Sequence, residues 1–215
     1  MNIFSERKIA QEYDAYYKTE QGKLVDELEK QAIGQLLAPV KAGRLLEIGC
    51  GTGHWTAFFS GRDFQITAID VSDAMLNLAR QKQISNVSFM EADVLQLPFP
   101  DRCFDQVAAI TALEFCGNIK QAFAEMKRVL KPGGWLVAGC LNADSTLGKI
   151  KGQDPVFQHG HFMSKVELEK HLSTIGKPEI LECVRLSPTF GLLDGTKNQH
   201  AVAGVFMAAA VQKIN

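Results

Sequence analysis

Apolar positions along this chain switch repeatedly between a helical and an extended period. Leu24, Val25, Leu28, Ala32 and Leu36 recur at helical spacing, so Gln21 to Leu37 is predicted as an amphipathic helix that stops before Pro39. Leu45 to Ile48 then reads as a strand, with a helix from about His54 to Ser60 behind it. Phe64 to Ile69 alternates in part and reads as a second strand. Ser72 can cap a helix with Met75, Leu78, Ala79 and Lys82 on one face, and Val87 to Met90 reads as a third strand. A fourth strand ends at Thr111. Asn118 can cap a helix bearing Ile119, Ala122, Phe123, Met126 and Leu130, which Pro132-Gly133-Gly134 is expected to end before a strand from Trp135 to Leu141.

After Leu141 the pattern loosens. Asn142 to Phe162 is rich in Gly, Asp, Lys and Ser and reads as a long connection. Ser164-Lys165-Val166-Glu167 has the form of a capping box and should open a helix to about Thr174. Glu179 to Arg185 and Ala203 to Val211 read as the last two strands. Alternation of strands and helices favours an α/β fold, a mostly parallel sheet with helices on both faces.

Between the first strand and its helix stands Gly49-Cys50-Gly51-Thr52-Gly53. Glycines there permit positive φ angles and let a ligand approach the main chain. The spacing is G-x-G-x-G, and His54 stands where the dinucleotide fingerprint requires its third glycine. Glu47, two residues before the first glycine, would repel a pyrophosphate and attract an ammonium group. Asp70 closes the second strand, where an acid can accept from both ribose hydroxyls. Asp93 follows the third strand and could accept from an exocyclic amine of adenine.

Leu45 to Gly53, Ala68-Ile69-Asp70, Glu91-Ala92-Asp93 with Leu97-Pro98-Phe99, Phe104-Asp105-Gln106-Val107 and Leu130-Lys131-Pro132-Gly133-Gly134 resemble, in order, the motifs of class I S-adenosylmethionine-dependent methyltransferases. The nearest flavour is similar to the quinone-biosynthesis C-methyltransferases. The resemblance spans roughly residues 40 to 145. It implies a Rossmann-like, doubly wound, seven-stranded sheet with an antiparallel last strand, and S-adenosyl-L-methionine as cofactor. It also implies that Glu47 and the loop at Gly49, Cys50, Gly51 and Gly53 hold the methionine end and that Asp70 takes the ribose. Asp93, with the Val94 main chain and the Val71 side chain, would then bind the adenine, Met75 and Ala92 would also touch the cofactor, and the Thr111 main chain would meet the methionine amine. Tyr13, Tyr16 and Tyr17 fall in an N-terminal segment that, by resemblance, folds over the cofactor, where Tyr16 could touch the sulfonium. Packing that segment down is the plainer role for all three.

One domain over residues 1–215 is expected, with a lid at 1–38, a cofactor-binding core at 39–141, a variable cap at 142–163, and a helix and two strands at 164–215. The formal net charge of −1 and the lack of a dense Lys/Arg cluster give no reason to expect nucleic acid. Neither a signal-peptide stretch nor a span-length apolar run is seen, and five irregularly spaced cysteines suggest neither zinc nor disulfides, so a cytoplasmic enzyme without metal is expected. Cys103 and Cys116 flank the fourth strand among apolar neighbours and read as core fillers rather than nucleophiles.

For the acceptor side the chain offers Glu114, beside Phe115, and the pair His159 and His161. Each has a plainer reading, an ion pair or cap for Glu114 and a solvated loop for the histidines. Trp55 reads as structural, although its place beside the glycine loop would let it meet the cofactor. Phe190, Leu192 and Leu193 suggest a partly apolar small-molecule acceptor. The expected reaction is in-line methyl transfer. A catalytically silent binding protein of the same build, or an NAD-dependent oxidoreductase, are the alternatives.

Overall fold

The computed structural model describes residues 14–187, 191–193 and 202–214. Tyr13, Phe190 and His200 lie outside the described residues. A helical turn at 14–16 leads into α1 (Glu20–Leu37), whose N-cap Thr19 accepts the Gly22 N–H. Then follow β1 (Arg44–Ile48), α2 (His54–Ser60), β2 (Gln65–Asp70), α3 (Asp73–Gln81), β3 (Val87–Glu91), β4 (Phe104–Ile110) and α4 (Ile119–Val129). The chain continues through β5 (Leu130–Leu141), α5 (Thr146–Ile150), α6 (Lys165–Leu172), β6 (Pro178–Cys183) and β7 (Phe206–Gln212). Ser72, Asn118 and Ser164 accept main-chain N–H groups of Met75, Gln121 and Glu167, as their positions ahead of apolar faces predict.

The strands form one sheet in the order β3-β2-β1-β4-β5-β7-β6. Neighbouring pairs among β1 to β5 run parallel, and β7 is antiparallel to both β5 and β6. Both faces are covered, and successive residues of one strand fall in different cores. Leu45 and Ala108 pack with Val25, Ile33, Trp55 and Phe59 of α1 and α2. Leu46 and Val107 pack with Phe123, Met126 and Leu168 of α4 and α6. Fully buried side chains such as Phe59, Ile33 and Phe206 each contribute about 1.5–3 kcal/mol through the apolar surface they remove from water.

Two sequence expectations shift. α4 ends at Val129, and Leu130 already pairs with Phe104 in the sheet, because a register shift between Phe104 and Gln106 lets Leu130 to Gly134 join β5. The buried face of α1 is Val25, Glu29, Ala32, Ile33, Leu36 and Leu37, while Leu24 and Leu28 are exposed. A carboxylate thus occupies a position in the apolar stripe that periodicity assigns to leucines.

Sheet order reverses direction between β1 and β4, and the loops leaving both strands part there. In open α/β sheets this crevice is where ligands bind.

Candidate functional site

The glycine loop sits in that crevice. Gly49, Gly51 and Gly53 have φ of 64°, 53° and 83°. A Cβ on Gly49 would stand 2.4 Å from the Cβ of Ala112 in the loop after β4, so only glycine lets these loops approach. A Cβ on Gly51 would meet no atom within 4 Å, which leaves open space above the main chain. Asp70 ties the loop to β2. Its Oδ2 accepts the Gly51 N–H at 2.8 Å and its Oδ1 accepts the Ser72 N–H at 2.8 Å.

Around these groups lies a cavity of about 480 Å³. Glu47, Gly49, Cys50, Gly51, Asp70, Val71, Met75, Ala92, Asp93, Val94 and Thr111 all line it. Of the residues that resemblance places on the cofactor, Gly53 and Tyr16 are not part of the lining. Gly53 caps α2 in the left-handed region and faces Ala79 and Ile84. Tyr16 stands edge-on to Tyr17, with ring centroids 5.5 Å apart.

Burial dominates the electrostatics. Glu47 is buried, and the loss of water together with the nearby Asp70 charge pushes its carboxyl up to about 8. The Thr56 hydroxyl beside it works in the opposite direction, yet neither Glu47 Oε2 nor Thr56 Oγ1 reaches a hydrogen-bond partner. Trp55 Nε1, on another residue of the lining, is also buried without an acceptor. An orphan acceptor and an orphan donor beside one cavity match the ammonium and carboxylate of an amino-acid ligand. Asp70 is raised by burial, against the pull of its main-chain donors. Asp93 Oδ1 accepts the Leu95 N–H at 2.8 Å, and so fixes the turn that presents Val94 and Leu95 to the cavity. The Thr111 N–H donates to the Gly139 carbonyl at 2.7 Å, and Thr111 holds φ of 49°, a rare conformation for a β-branched residue.

Neither His159 nor His161 lines the cavity. His161 is exposed and pairs with Glu167 at 3.0 Å, so the Glu167 carboxylate serves the histidine while Ser164 caps α6. Among the described residues no group of three or more His, Cys, Asp or Glu could hold a metal ion. Glu114 is buried just behind Phe115, which lines the cavity. Cys116 also lines it, but burial, with Glu114 and Asp93 nearby, pushes its thiol up to about 12, where it is no thiolate at neutral pH. Cys103 stands away from the cavity lining.

His54 is surrounded by polar and aromatic partners. His54 lines the cavity, its Nε2 lies 2.7 Å from Asp26 Oδ1 and 3.2 Å from Lys30 Nζ, and Tyr17 stacks on its ring at 3.8 Å. A second tie joins Asp14 to the hydroxyl of Thr52, with Lys82 2.9 Å from the same carboxylate. The N-terminal segment is fastened to the glycine loop at both points. The helical spacing of Asp26 and Lys30 was visible, but their meeting with a residue 28 positions away from Asp26 was not.

A doubly wound sheet with strand-end acids and a glycine loop at its crevice is a Rossmann-like ligand-binding architecture. The family model for a methyltransferase domain matches residues 46–138. Relatives include an uncharacterized protein of Methanocaldococcus jannaschii, 30% identical over the whole of both chains. A malonyl-[acyl-carrier protein] O-methyltransferase of Erwinia pyrifoliae is 34% identical over 74% of this chain and 67% of its own. A demethylmenaquinone methyltransferase of Listeria welshimeri is 32% identical over 70% and 64%. The chain spans about half, 49%, of another relative, the malonyl-[acyl-carrier protein] O-methyltransferase of Pectobacterium atrosepticum. Among solved structures, a SAM-dependent methyltransferase of Thermotoga maritima, named a possible histamine N-methyltransferase, superposes with a TM-score of 0.77 at 22% identity and 97% coverage of each chain. The chain belongs to the class I S-adenosylmethionine-dependent methyltransferases, a family whose cofactor is S-adenosylmethionine.

Among the described residues no helix is long and apolar enough to cross a membrane.

Proposed function

We propose that this protein transfers a methyl group from S-adenosyl-L-methionine to a small-molecule acceptor. The observation that carries the reading is the convergence of the buried Glu47 carboxyl, the open main chain at Gly51 and the anchored Asp70 on one cavity. When bound, the cofactor supplies an electrophilic methyl on a sulfonium that is already a good leaving group. Glu47 would meet its ammonium, Trp55 Nε1 would donate to its carboxylate, and Asp70 would keep two lone pairs for the ribose hydroxyls. Asp93 and the turn it fixes would border the adenine.

The remaining work for the chain is to hold the acceptor in line with the methyl and to keep water out. Positioning of this kind supplies up to roughly 7–11 kcal/mol in well-oriented reactions. The polar ties of Asp14 and Asp26 to the glycine loop hold the N-terminal segment against the site, which suits a lid. The named relatives are a malonyl-[acyl-carrier protein] O-methyltransferase and a demethylmenaquinone methyltransferase, and the family match covers 46–138, so α1 and 142–163 are the segments proposed to set acceptor choice. We place the protein in the cytoplasm as a single methyltransferase domain without a resident metal.

Calorimetric titration with S-adenosylmethionine, its demethylated product and NAD tests this. Micromolar binding of the first two that is lost in Asp70→Ala supports it, and selective NAD binding overturns it. Binding without turnover across an acceptor screen would indicate the catalytically silent alternative.

A further inference from the structure

The glycine loop is pinned from two sides. On the β2 side, Asp70 accepts the Gly51 N–H. On the other, the Thr52 hydroxyl donates to Asp14 Oδ1 at 2.5 Å. Lys82, the C-cap residue of α3, closes a ring, with its Nζ 2.9 Å from Asp14 Oδ2 and donating to Thr52 Oγ1 at 3.3 Å. Asp14 stands in the helical turn ahead of α1, so the three residues join the N-terminal segment, the loop and the end of α3.

Thr52 is fully buried and stands between Gly51 and Gly53, both at positive φ. Glycine main chain is the least restrained by its own sterics, so a loop of this composition loses much conformational freedom when a ligand fixes it. An anchor at Thr52 removes that freedom before the ligand arrives, and such preorganisation raises affinity. Without Asp14 the buried hydroxyl would lose its acceptor, and the loop would have to shift to hydrate it. Neither Asp14, Thr52 nor Lys82 lines the cavity, whereas Cys50 and Gly51 do. Any effect of the ring on a bound ligand therefore travels through the main chain of the loop.

We propose that Asp14, Thr52 and Lys82 are positioning residues that couple docking of the N-terminal segment to occupation of the cofactor cavity, so that the segment sets cofactor affinity, a proposal that rests on the function given above. The coupling is reciprocal. If the docked segment raises cofactor affinity by some factor, the bound cofactor must hold the segment down by the same factor. Asp14 lies outside residues 46–138, which the family model matches, so this control is applied to the family block by a segment that the block does not contain.

The test titrates the full chain with S-adenosylhomocysteine by calorimetry and follows main-chain hydrogen exchange at residues 14–19 with and without that ligand. Asp14→Ala and Thr52→Val should each weaken binding about tenfold, a usual size for a coupling between sites. The double variant should lose little more than either alone, because the hydroxyl acts through the carboxylate. Thr52→Ser keeps the hydroxyl and should recover most of the loss seen in Thr52→Val. In the wild type the ligand should slow exchange at 14–19 about tenfold, and in Asp14→Ala it should not. Thermal melts identify a variant that fails to fold, and the exchange measurement on the wild type decides the question without the variants. Bound ligand that leaves wild-type exchange at 14–19 unchanged, or variants that melt lower yet bind with unchanged affinity, overturns the coupling and leaves the ring a structural tie. Failure of S-adenosylhomocysteine to bind the wild type overturns the methyltransferase reading, and the coupling with it.

Discussion

His54 Nε2 lies 2.7 Å from Asp26 Oδ1, and this single contact joins the start of α2, at the glycine loop, to the middle of α1. Both side chains are largely buried, at 18% and 16% exposure. Burial alone would raise the Asp26 carboxyl, but hydrogen bonds from His54 and Lys30 outweigh it and hold the group below the usual carboxylate range.

Replacing Asp26 by Asn should therefore cost about 1 kcal/mol in a denaturant melt at pH 7, the scale of one hydrogen bond with a charged partner after solvent screening. The stabilisation from a lowered carboxyl is present above its unfolded value and fades as pH falls through the folded one. Asp26→Asn should accordingly flatten the acid limb of the stability profile. Cofactor KM should rise with kcat nearly kept, because the pair fastens α1 to the start of α2 beside the glycine loop. An unchanged acid limb would contradict the tie.

Gly49 and Gly51 make a matched pair. Gly49→Ala meets Ala112 at 2.4 Å and strains a φ of 64°, so it should lose about 2–3 kcal/mol of stability in a urea melt. Gly51→Ala meets no atom within 4 Å and should cost only about 1 kcal/mol, from its positive φ. Its methyl fills the space above the loop, so cofactor affinity should fall by tenfold or more, about 1.4 kcal/mol, in a calorimetric titration. Equal affinities for Gly51→Ala and wild type would place the cofactor elsewhere.

Stability of the ligand-free protein should fall as pH rises from about 5 to 8. Burial raises Glu47, Glu29 and Glu114 to about 8, 8 and 7, above the ordinary value of 4.5. Between 4.5 and those values the folded state holds protons that the unfolded state releases, so the stabilisation is complete below 4.5 and lost as pH passes through the folded values. Glu114→Gln, which cannot ionise, should reduce the slope between pH 5 and 7 in thermal melts. A slope equal to wild type would show that Glu114 is ionised throughout.

Cofactor binding should release a proton. An ammonium beside Glu47 favours its carboxylate, and a carboxyl near 8 must ionise for that pairing at pH 7. Titrations in two buffers of different ionisation enthalpy should report close to one proton released at pH 6.5, and affinity should rise with pH toward 8. Glu47→Gln should abolish the buffer difference.

Strand-end chemistry was legible in the sequence because it is local. Glu47, Asp70 and Asp93 sit at fixed offsets from apolar runs, and a parallel sheet brings the ends of such runs to one edge whatever the details of packing. Ser72, Asn118 and Ser164 were legible for the same reason, since a cap acts within three residues. The α1 stripe misled. Leu24 and Leu28 fit the period as well as Val25 does, and a helix alone does not say which side meets the sheet. Glu29 escaped notice because a carboxylate in a helix ordinarily faces water. The H-x-H pair drew attention that its exposed loop does not support, since His161 simply meets Glu167.

By itself the sequence determined the alternation of strands and helices, the glycine loop and the acids that follow three strands, because periodicity, turn chemistry and capping act over a few residues. Only the tertiary structure decided that α1 turns Glu29 inward, that Asp26 reaches His54 and that Trp55 Nε1 stands unpaired beside the cavity. Those relationships depend on how a helix rotates and docks on a sheet, and that is set by the summed packing of surfaces distant in sequence.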